Sequence, residues 1–378
     1  MNNKYLALIL LPLLFCTPAT YADHNKTKVA FFVIRTIDDM FFSLVVDFMR
    51  EACNDLGMEM EPHYANGNHL LMVEQVKKTL SQKDKPDALV FINFKNIGHK
   101  IIKLAETAKT PVFLINSALD PERSMGRPRE KYKYWIGEML PDDEGAGFTL
   151  AESLITKATP DKDGKIHMVA IEGERTTGAS AARVQGLNRS IEAHDNVVLH
   201  QTVAGNWVPE RAKFQFKQLK KRYPEASVFW TASDGMAIGV AEGASELNLK
   251  LGKEIITGGV DWSVEGITAV RDGKITATLG GHVMEAGWAA VLLYDYFHGK
   301  DFVSESVSMQ DAMTPIDESN IESFYRRFNR ENWHHIDFTR FSKVANPTLK
   351  KYDFSLEAVM AQLEDSGGAQ PGSTHKKN

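Results

Sequence analysis

The sequence predicts an α/β protein with a largely parallel sheet in each of two domains. Three observations carry this. Short apolar runs alternate with helical patterns along most of the chain. A stretch rich in charge and proline, 120–133, interrupts the alternation, which then restarts. The chain of 378 residues has the length of about two domains.

The elements follow in order. KVAFFVI (28–34) is strand-like. Residues 40–57 place Phe42, Val45, Met49, Ala52, Cys53 and Leu56 at helical spacing, and Gly57 can end that helix. MEMEPHYA is a second strand and LLMVEQVKKTLSQ a helix. DALVFIN, NIGHKIIKLAETA and PVFLINS continue the strand–helix–strand pattern. After 120–133, KYWIGEM leads into the second unit, with 142–158 helical. Four further pairs follow: KIHMVAIEG with 178–193, NVVLHQTVAG with 208–223, SVFWTAS with 234–248, and EIITGGVD with 263–273. KITATLGG and a helix over 282–299 close the series. Each apolar run suits a strand buried on both faces. Beyond it, NIESFYRRFNRENW reads as a helix and HHIDFTRFSKVANP as an irregular packed segment. The last residues, 366–378, read as disordered.

The N-terminus begins with a weakly basic Lys4, an apolar run over 5–16 and small residues up to Ala22. That order is a secretory signal peptide cleaved after Ala22, leaving Asp23 as the first mature residue and a periplasmic protein. Pro12 and Thr17 cut the run short of the roughly 20 apolar residues a membrane anchor needs. Composition is ordinary, with 43% hydrophobic and 25% charged residues and a net charge of −5, which excludes global disorder and a general nucleic-acid binder. Of two cysteines, Cys16 falls in the leader, so Cys53 has no partner for an internal disulfide. It reads as a buried, inert thiol.

Polar residues gather just past the apolar strands: TIDD at 36–39, NS at 116–117, SD at 233–234, VDW at 260–262 and GGH at 280–282. In open parallel sheets, ligands bind at that edge. Asp234 therefore has two readings, a helix cap and a cleft residue.

TIDDMFFSLVVDFMREACNDLG, GASAARVQGL, TASDGMAIGVAEG, ITGGVDW and VRDGKITATLGG, in this order, resemble the type 1 periplasmic binding proteins. These are the ribose-binding-like receptors of sugar ABC transporters, related to the autoinducer-2 receptor and to LacI-type regulators. The resemblance covers about 28–301, and no helix-turn-helix precedes it. It implies two similar doubly wound lobes joined by a three-crossover hinge, with the ligand between them. Lobe one would be 27–138 plus 283–308, and lobe two 139–282 plus 309–365.

Carried over from that resemblance, Asp39 is a polar ligand contact, Phe41 and Phe42 the aromatic pair, and Asn116 a ligand position after the fourth strand. Arg183 matches the binding arginine, Trp207 a second-lobe aromatic and Asp261 an acid of the site. Ser233 stands where sugar binders commonly have Asn, and Ser117 where ribose-like members have Arg. Gly281 replaces a common Gln, and His282 can take that role. The Ser233–Asp234 pair looks more like the autoinducer-2 receptor. Aromatic faces suit the C–H faces of a sugar, and forked polar side chains suit its hydroxyl rim. The bland readings stand beside these: one of Phe41 and Phe42 as core, Trp207 as hinge packing, Arg183 paired to a structural acid, His282 as a cap.

Other chemistry finds little support. DKDG at 161–164 starts like a calcium loop but lacks the later ligands, and reads as a turn. His282 and Glu285 lie one helical turn apart with no third ligand in the motif, and no phosphate loop or nucleophile elbow appears. No cofactor and no metal are expected. The resemblance implies a monomeric, non-enzymatic receptor that closes on a sugar or sugar-like molecule and delivers it to an inner-membrane ABC permease. A variant would relay a signal to a membrane sensor instead. The contrasting class is a carbohydrate-active enzyme with two carboxylates across the scissile bond.

Overall fold

The computed structural model describes residues 26–119 and 124–365; the leader reading over 1–22 and the tail reading over 366–378 lie outside them. The first sheet contains β1 (Lys28–Val33), β2 (Glu59–Tyr64), β3 (Ala88–Ile92), β4 (Val112–Ile115) and β5 (Trp135–Pro141), in the order β2-β1-β3-β4-β5 and all parallel. Its crossover helices are α1 (Phe42–Asp55), α2 (His69–Leu80) and α3 (Gly98–Ala108). Every residue of β3 and β4 is buried, which is why these strands read as unbroken apolar runs.

The second lobe repeats the plan. It contains α4 (Asp143–Lys157), β6 (Ile166–Glu172), α5 (Gly178–Glu192), β7 (Val197–Ala204), α6 (Pro209–Arg222), β8 (Val228–Thr231), α7 (Asp234–Glu246), β9 (Ile256–Val260), α8 (Val264–Arg271) and β10 (Ala277–Gly280). The strand order β7-β6-β8-β9-β10 is the same as in lobe one, again parallel. Polar side chains start four of these five helices; α6 starts on Val208 and Pro209 instead. Asp142 accepts from the Gly145 amide at 2.9 Å and Ser263 from that of Gly266 at 2.9 Å, satisfying donors that a helix start leaves open.

The chain then returns to lobe one as α9 (Glu285–Phe297), adds β11 (Ser308–Asp311) parallel to β5, and crosses back to add β12 (Thr314–Asp317) antiparallel to β10. Up to β12, three crossovers therefore join the lobes, after Pro141, after Gly280 and after Asp311. The first falls later than the expected boundary at 138, because all of β5 pairs with β4 in lobe one's sheet.

The segment 309–365 was expected in lobe two; only part of it is there. Beyond β12, α10 (Ile321–Arg327) packs near α8, with Phe324 4.6 Å from Trp262 between ring centres. The chain then leaves for lobe one. Trp333 and Phe338 meet Phe48 of α1 at 5.1 and 5.2 Å, and Phe341 meets Trp288 of α9 at 4.8 Å. Buried Asp295 of α9 collects the amides of Lys343 and Val344 at 2.7 and 3.2 Å, the Ser342 hydroxyl, and Tyr352 Oη at 2.8 Å. A final helix, α11 (Leu356–Asp365), buries Val359 and Leu363 in the same core. The stretch read as one helix over 320–333 is α10 followed by a 3-10 segment at Arg330–His335. No described helix is long and apolar enough to cross a membrane.

Candidate functional site

The carboxyl ends of both sheets face one cavity of about 240 Å³. Lobe one contributes Arg35 and Asp39 after β1, Phe41 and Phe42 at the start of α1, Asn93 and Phe94 after β3, and Asn116 and Ser117 after β4. Lobe two contributes Thr177 and Arg183, Trp207 after β7, Ser233 after β8 and Asp261 after β9; His282 enters from the second crossover. Several wall residues adopt the left-handed backbone region that favours glycine: Asn116 (φ 68°), Trp207 (φ 63°) and Asp261 (φ 145°). Such conformations cost roughly 1–3 kcal/mol each and cluster at functional sites.

Arg183 is the centre of lobe two's wall. It is 4% exposed. Its Nε donates to Asp143 Oδ1 at 2.7 Å and its Nη1 to the Ala232 carbonyl at 2.7 Å. Asp261 Oδ1 stands 3.6 Å from Nη1, and His282 Nε2 3.5 Å from Nη2. The guanidinium lies 5.7 Å from the Trp207 ring. Burial works against its charge, but the carboxylates of Asp143 and Asp261 outweigh it and raise the pKa. The pairing depends on close approach of α4 and α5. A Cβ on Gly147 would stand 1.9 Å from the Arg183 carbonyl oxygen, and one on Gly186 1.9 Å from that of Glu144.

Asp261 and His282 are tuned by the same surroundings. Burial pushes Asp261 up to about 7, partly offset by Arg183 and reinforced by Asp39 and Asp143. Burial and then Arg183 hold His282 down at about 3, so its ring is neutral; it stacks on Phe41 at 4.5 Å. Phe41 is thus mostly packed, while Phe42 is the more open of the pair. Asp39 Oδ1 accepts from the Phe41 and Phe42 amides at 3.1 and 2.9 Å, which leaves Oδ2 near Arg35 at 4.0 Å. Asp39 therefore starts α1 and faces the cavity at once.

Nine of the ten residues singled out from the sequence line this cavity. The exception is Asp234. Its Oδ2 accepts from the Ser263 amide and hydroxyl, both at 2.9 Å, and its Oδ1 from Thr278 Oγ1 at 2.6 Å. The carboxylate is fully buried and points behind the wall, tying β8 to α8 and β10. Nor is Asp234 the cap: the extended Ser233 holds that place, its hydroxyl accepting from Met236 N at 3.4 Å, and Asp234 is the first helical residue.

Two kinds of residue escaped the sequence. Asn93 and Arg35 follow strands by the same edge rule that found Asn116, so the signal was present; Asn93 Nδ2 donates to the Ala118 carbonyl at 2.6 Å. Asp143 and Glu285 carried no such signal, because each acts through a partner far along the chain. Glu285 Oε2 accepts from the Asn116 amide at 2.8 Å, and burial, then Asp311 and Asp143, raise its pKa well above its ordinary value. Cys53 is buried, its thiol pushed up to about 12 by burial, as expected of an inert core residue.

Two similar lobes, three crossovers and a cavity at facing strand ends define the class of two-lobed hinge receptors. Residues 29–301 match the family model described as periplasmic binding protein domain, and the chain belongs to that family. Among solved structures, it is similar to a periplasmic sugar-binding protein from Pseudomonas fluorescens at 30% identity and a TM-score of 0.80, covering 88% of this chain and 99% of that one. The fold is shared with the binding protein of the arabinose ABC transporter from Shewanella sp. ANA-3, at 18% identity and a TM-score of 0.70, over 81% of this chain and 96% of that one. The ribose import binding protein RbsB of Salmonella typhimurium is 22% identical over 74% of this chain and 87% of its own length. The galactofuranose-binding protein YtfQ of Escherichia coli K12 is 25% identical over 47% of this chain; that match spans only 54% of YtfQ.

Proposed function

We propose that this protein is a periplasmic receptor that closes on a single sugar or sugar-like molecule and hands it to an ABC permease. The carrying observation is the cavity wall itself. Ser117 Oγ and His282 Nδ1 are buried there without a hydrogen-bond partner, and Asp261 and Arg183 present further polar atoms, while Phe42, Phe94 and Trp207 offer ring faces. Buried polar atoms call for partners, and a hydroxyl-rimmed ring with apolar faces supplies them. A cavity of about 240 Å³ is small even among small-molecule sites, which suits a monosaccharide rather than a chain.

Binding rather than catalysis is favoured by where the carboxylates are spent. Asp143 is committed to Arg183, and Asp234 to Ser263 and Thr278. Of the wall acids, Asp39 is held by two amides and Asp261 lies 3.6 Å from Arg183, so both are already engaged with lobe side chains or backbone. The relatives named for ribose, galactofuranose and arabinose, with the sugar-binding protein at 30% identity, point the same way.

The test is a thermal-shift screen of pentoses, hexoses and polyols, followed by calorimetric titration and small-angle scattering. A cognate sugar at a hundred times Kd should stabilise the protein by about 2.7 kcal/mol and shrink its radius of gyration. Conversion of the sugar by the isolated protein would overturn the reading.

A further inference from the structure

We propose that lobe two carries a second, separate site: a zinc-class divalent cation held by His167 of β6, His200 of β7 and Glu225 in the turn before β8. His167 Nδ1 stands 3.0 Å from His200 Nε2, and His200 Nε2 stands 3.3 Å from Glu225 Oε1. One ligand atom from each residue lies within 4.8 Å of the other two. In a tetrahedral zinc site with bonds of about 2.0–2.1 Å, ligand atoms stand about 3.3–3.5 Å apart, so small side-chain shifts suffice. Two imidazoles and one carboxylate suit zinc, and also nickel or copper, rather than calcium or magnesium.

The hydrogen inventory points to a cation. Asp161 Oδ2 is 3.1 Å from His167 Nε2, and Asp161 is itself held by the amides of Asp163 and Lys165 at 2.9 and 2.8 Å on its other oxygen. A carboxylate there takes the Nε2 hydrogen of a neutral ring and turns the Nδ1 lone pair toward His200. That is the second-shell arrangement by which carboxylates orient metal-binding histidines. His200 Nε2 then faces two acceptors, His167 Nδ1 and Glu225, with at most one hydrogen to share between them. A divalent cation satisfies all three at once, leaving a fourth position for water.

The local fold places these groups deliberately. Met168 pairs with Leu199 and Val169 with Gln201, so His200 is the extra residue of a β-bulge. Bulges re-aim side chains. The Tyr223 ring stacks on His200 at 4.6 Å and fixes its plane. Both histidine side chains are only 17% and 16% exposed, but Glu225 is open at 41%, which leaves a path for the ion. His167 lies at the amino end of β6, about 17 Å along the strand from the cavity end. The ion would cross-link β6, β7 and the α6–β8 turn without entering the sugar cavity.

The experiment uses the mature chain stripped with EDTA and titrated with zinc chloride, read by calorimetry and by melting temperature. One zinc per chain and a rise of several degrees are expected, with cobalt(II) giving the visible absorption of a four-coordinate ion. His200→Ala and His167→Ala should weaken zinc binding at least about 100-fold, and Asp161→Asn about 10–100-fold through the tautomer of His167. His334→Ala with His335→Ala should leave it unchanged. Should a histidine variant be poorly folded, Glu225→Gln on the exposed turn serves instead, with a loss of about tenfold. Absence of a zinc-dependent shift in the wild-type protein, or wild-type zinc affinity retained in the folded His167 and His200 variants, would overturn the proposal.

Discussion

The two lobes share one strand order, yet they treat charge differently at the cavity. Lobe two buries its ions in a fixed network: Arg183 at 4% exposure, tied to Asp143 and a backbone carbonyl. Lobe one keeps Arg35 and Asp39 at 29% and 26% exposure and 4.0 Å apart, beside a bank of phenylalanines. A buried ion held by two short hydrogen bonds is pre-aimed and costs little reorganisation when a ligand arrives. A loose pair on the opposite lobe can adjust as the lobes close. The same residue types therefore serve as a rigid fork on one side and an adaptable rim on the other.

Removing the fork should have the largest effect. Arg183→Ala leaves Asp143 buried and unpaired, and is expected to cost about 3–5 kcal/mol of folding stability as well as abolishing measurable sugar binding. Urea melts and calorimetry check both. Burial of the pair is why the change reaches stability as well as binding. The matching change in lobe one, Arg35→Ala, should cost under about 1 kcal/mol of stability, because a half-buried pair 4.0 Å apart with access to solvent contributes little. Equal losses from both would erase the contrast between the lobes.

Gly173→Ala tests how the lobe-two aromatic is seated. A Cβ there would stand 2.1 Å from the Trp207 ring, so the indole must shift. Overpacking of this kind costs about 1–3 kcal/mol, and affinity should fall while the far side of lobe two stays intact. Hydrogen exchange along β6 and β7, measured with the melt, separates the two effects.

Asp261→Asn sharpens the electrostatic half. With the folded pKa raised to about 7 and the unfolded value near 3.9, the folded state holds this proton more tightly. Below pH 4 both states are protonated and wild type carries no penalty. As pH rises through 7 the folded state must ionise a buried acid, so wild-type stability falls relative to the variant. Melts of both proteins from pH 4 to 8 should diverge in that window, the Asn protein gaining at the alkaline end. Parallel curves would mean that Asp261 is not held near 7.

Glu285→Gln should have the smallest effect. Burial, Asp311 and Asp143 already push this carboxyl toward its neutral form, and the amide oxygen of Gln can keep the Asn116 bond. A change below about 1 kcal/mol in stability is expected. Calorimetry that finds sugar affinity intact would confirm that Glu285 positions Asn116 without needing charge.

Local patterning determined a good part of this molecule. The apolar runs fix where buried strands lie because a parallel sheet covered on both faces tolerates nothing else, and the polar residues after them mark the ligand edge because every such strand ends on the same side. That is why Asp39, Asn116, Ser233 and Asp261 could be read from the chain, and why Asn93 could have been. Tertiary packing decided what a one-dimensional pattern cannot hold. Asp234 and Asp261 follow neighbouring strands in similar words, yet one meets Ser263 and Thr278 and the other the cavity, because Asp234 is already the first residue of α7 while Asp261 lies in the turn before the Ser263 cap of α8. Asp143 met Arg183 only through the approach of α4 to α5 at Gly147 and Gly186. The C-terminal segment joined lobe one because its aromatics found Phe48 and Trp288, residues hundreds of positions away or on another helix, and a contact between distant parts of a chain leaves no periodicity to read.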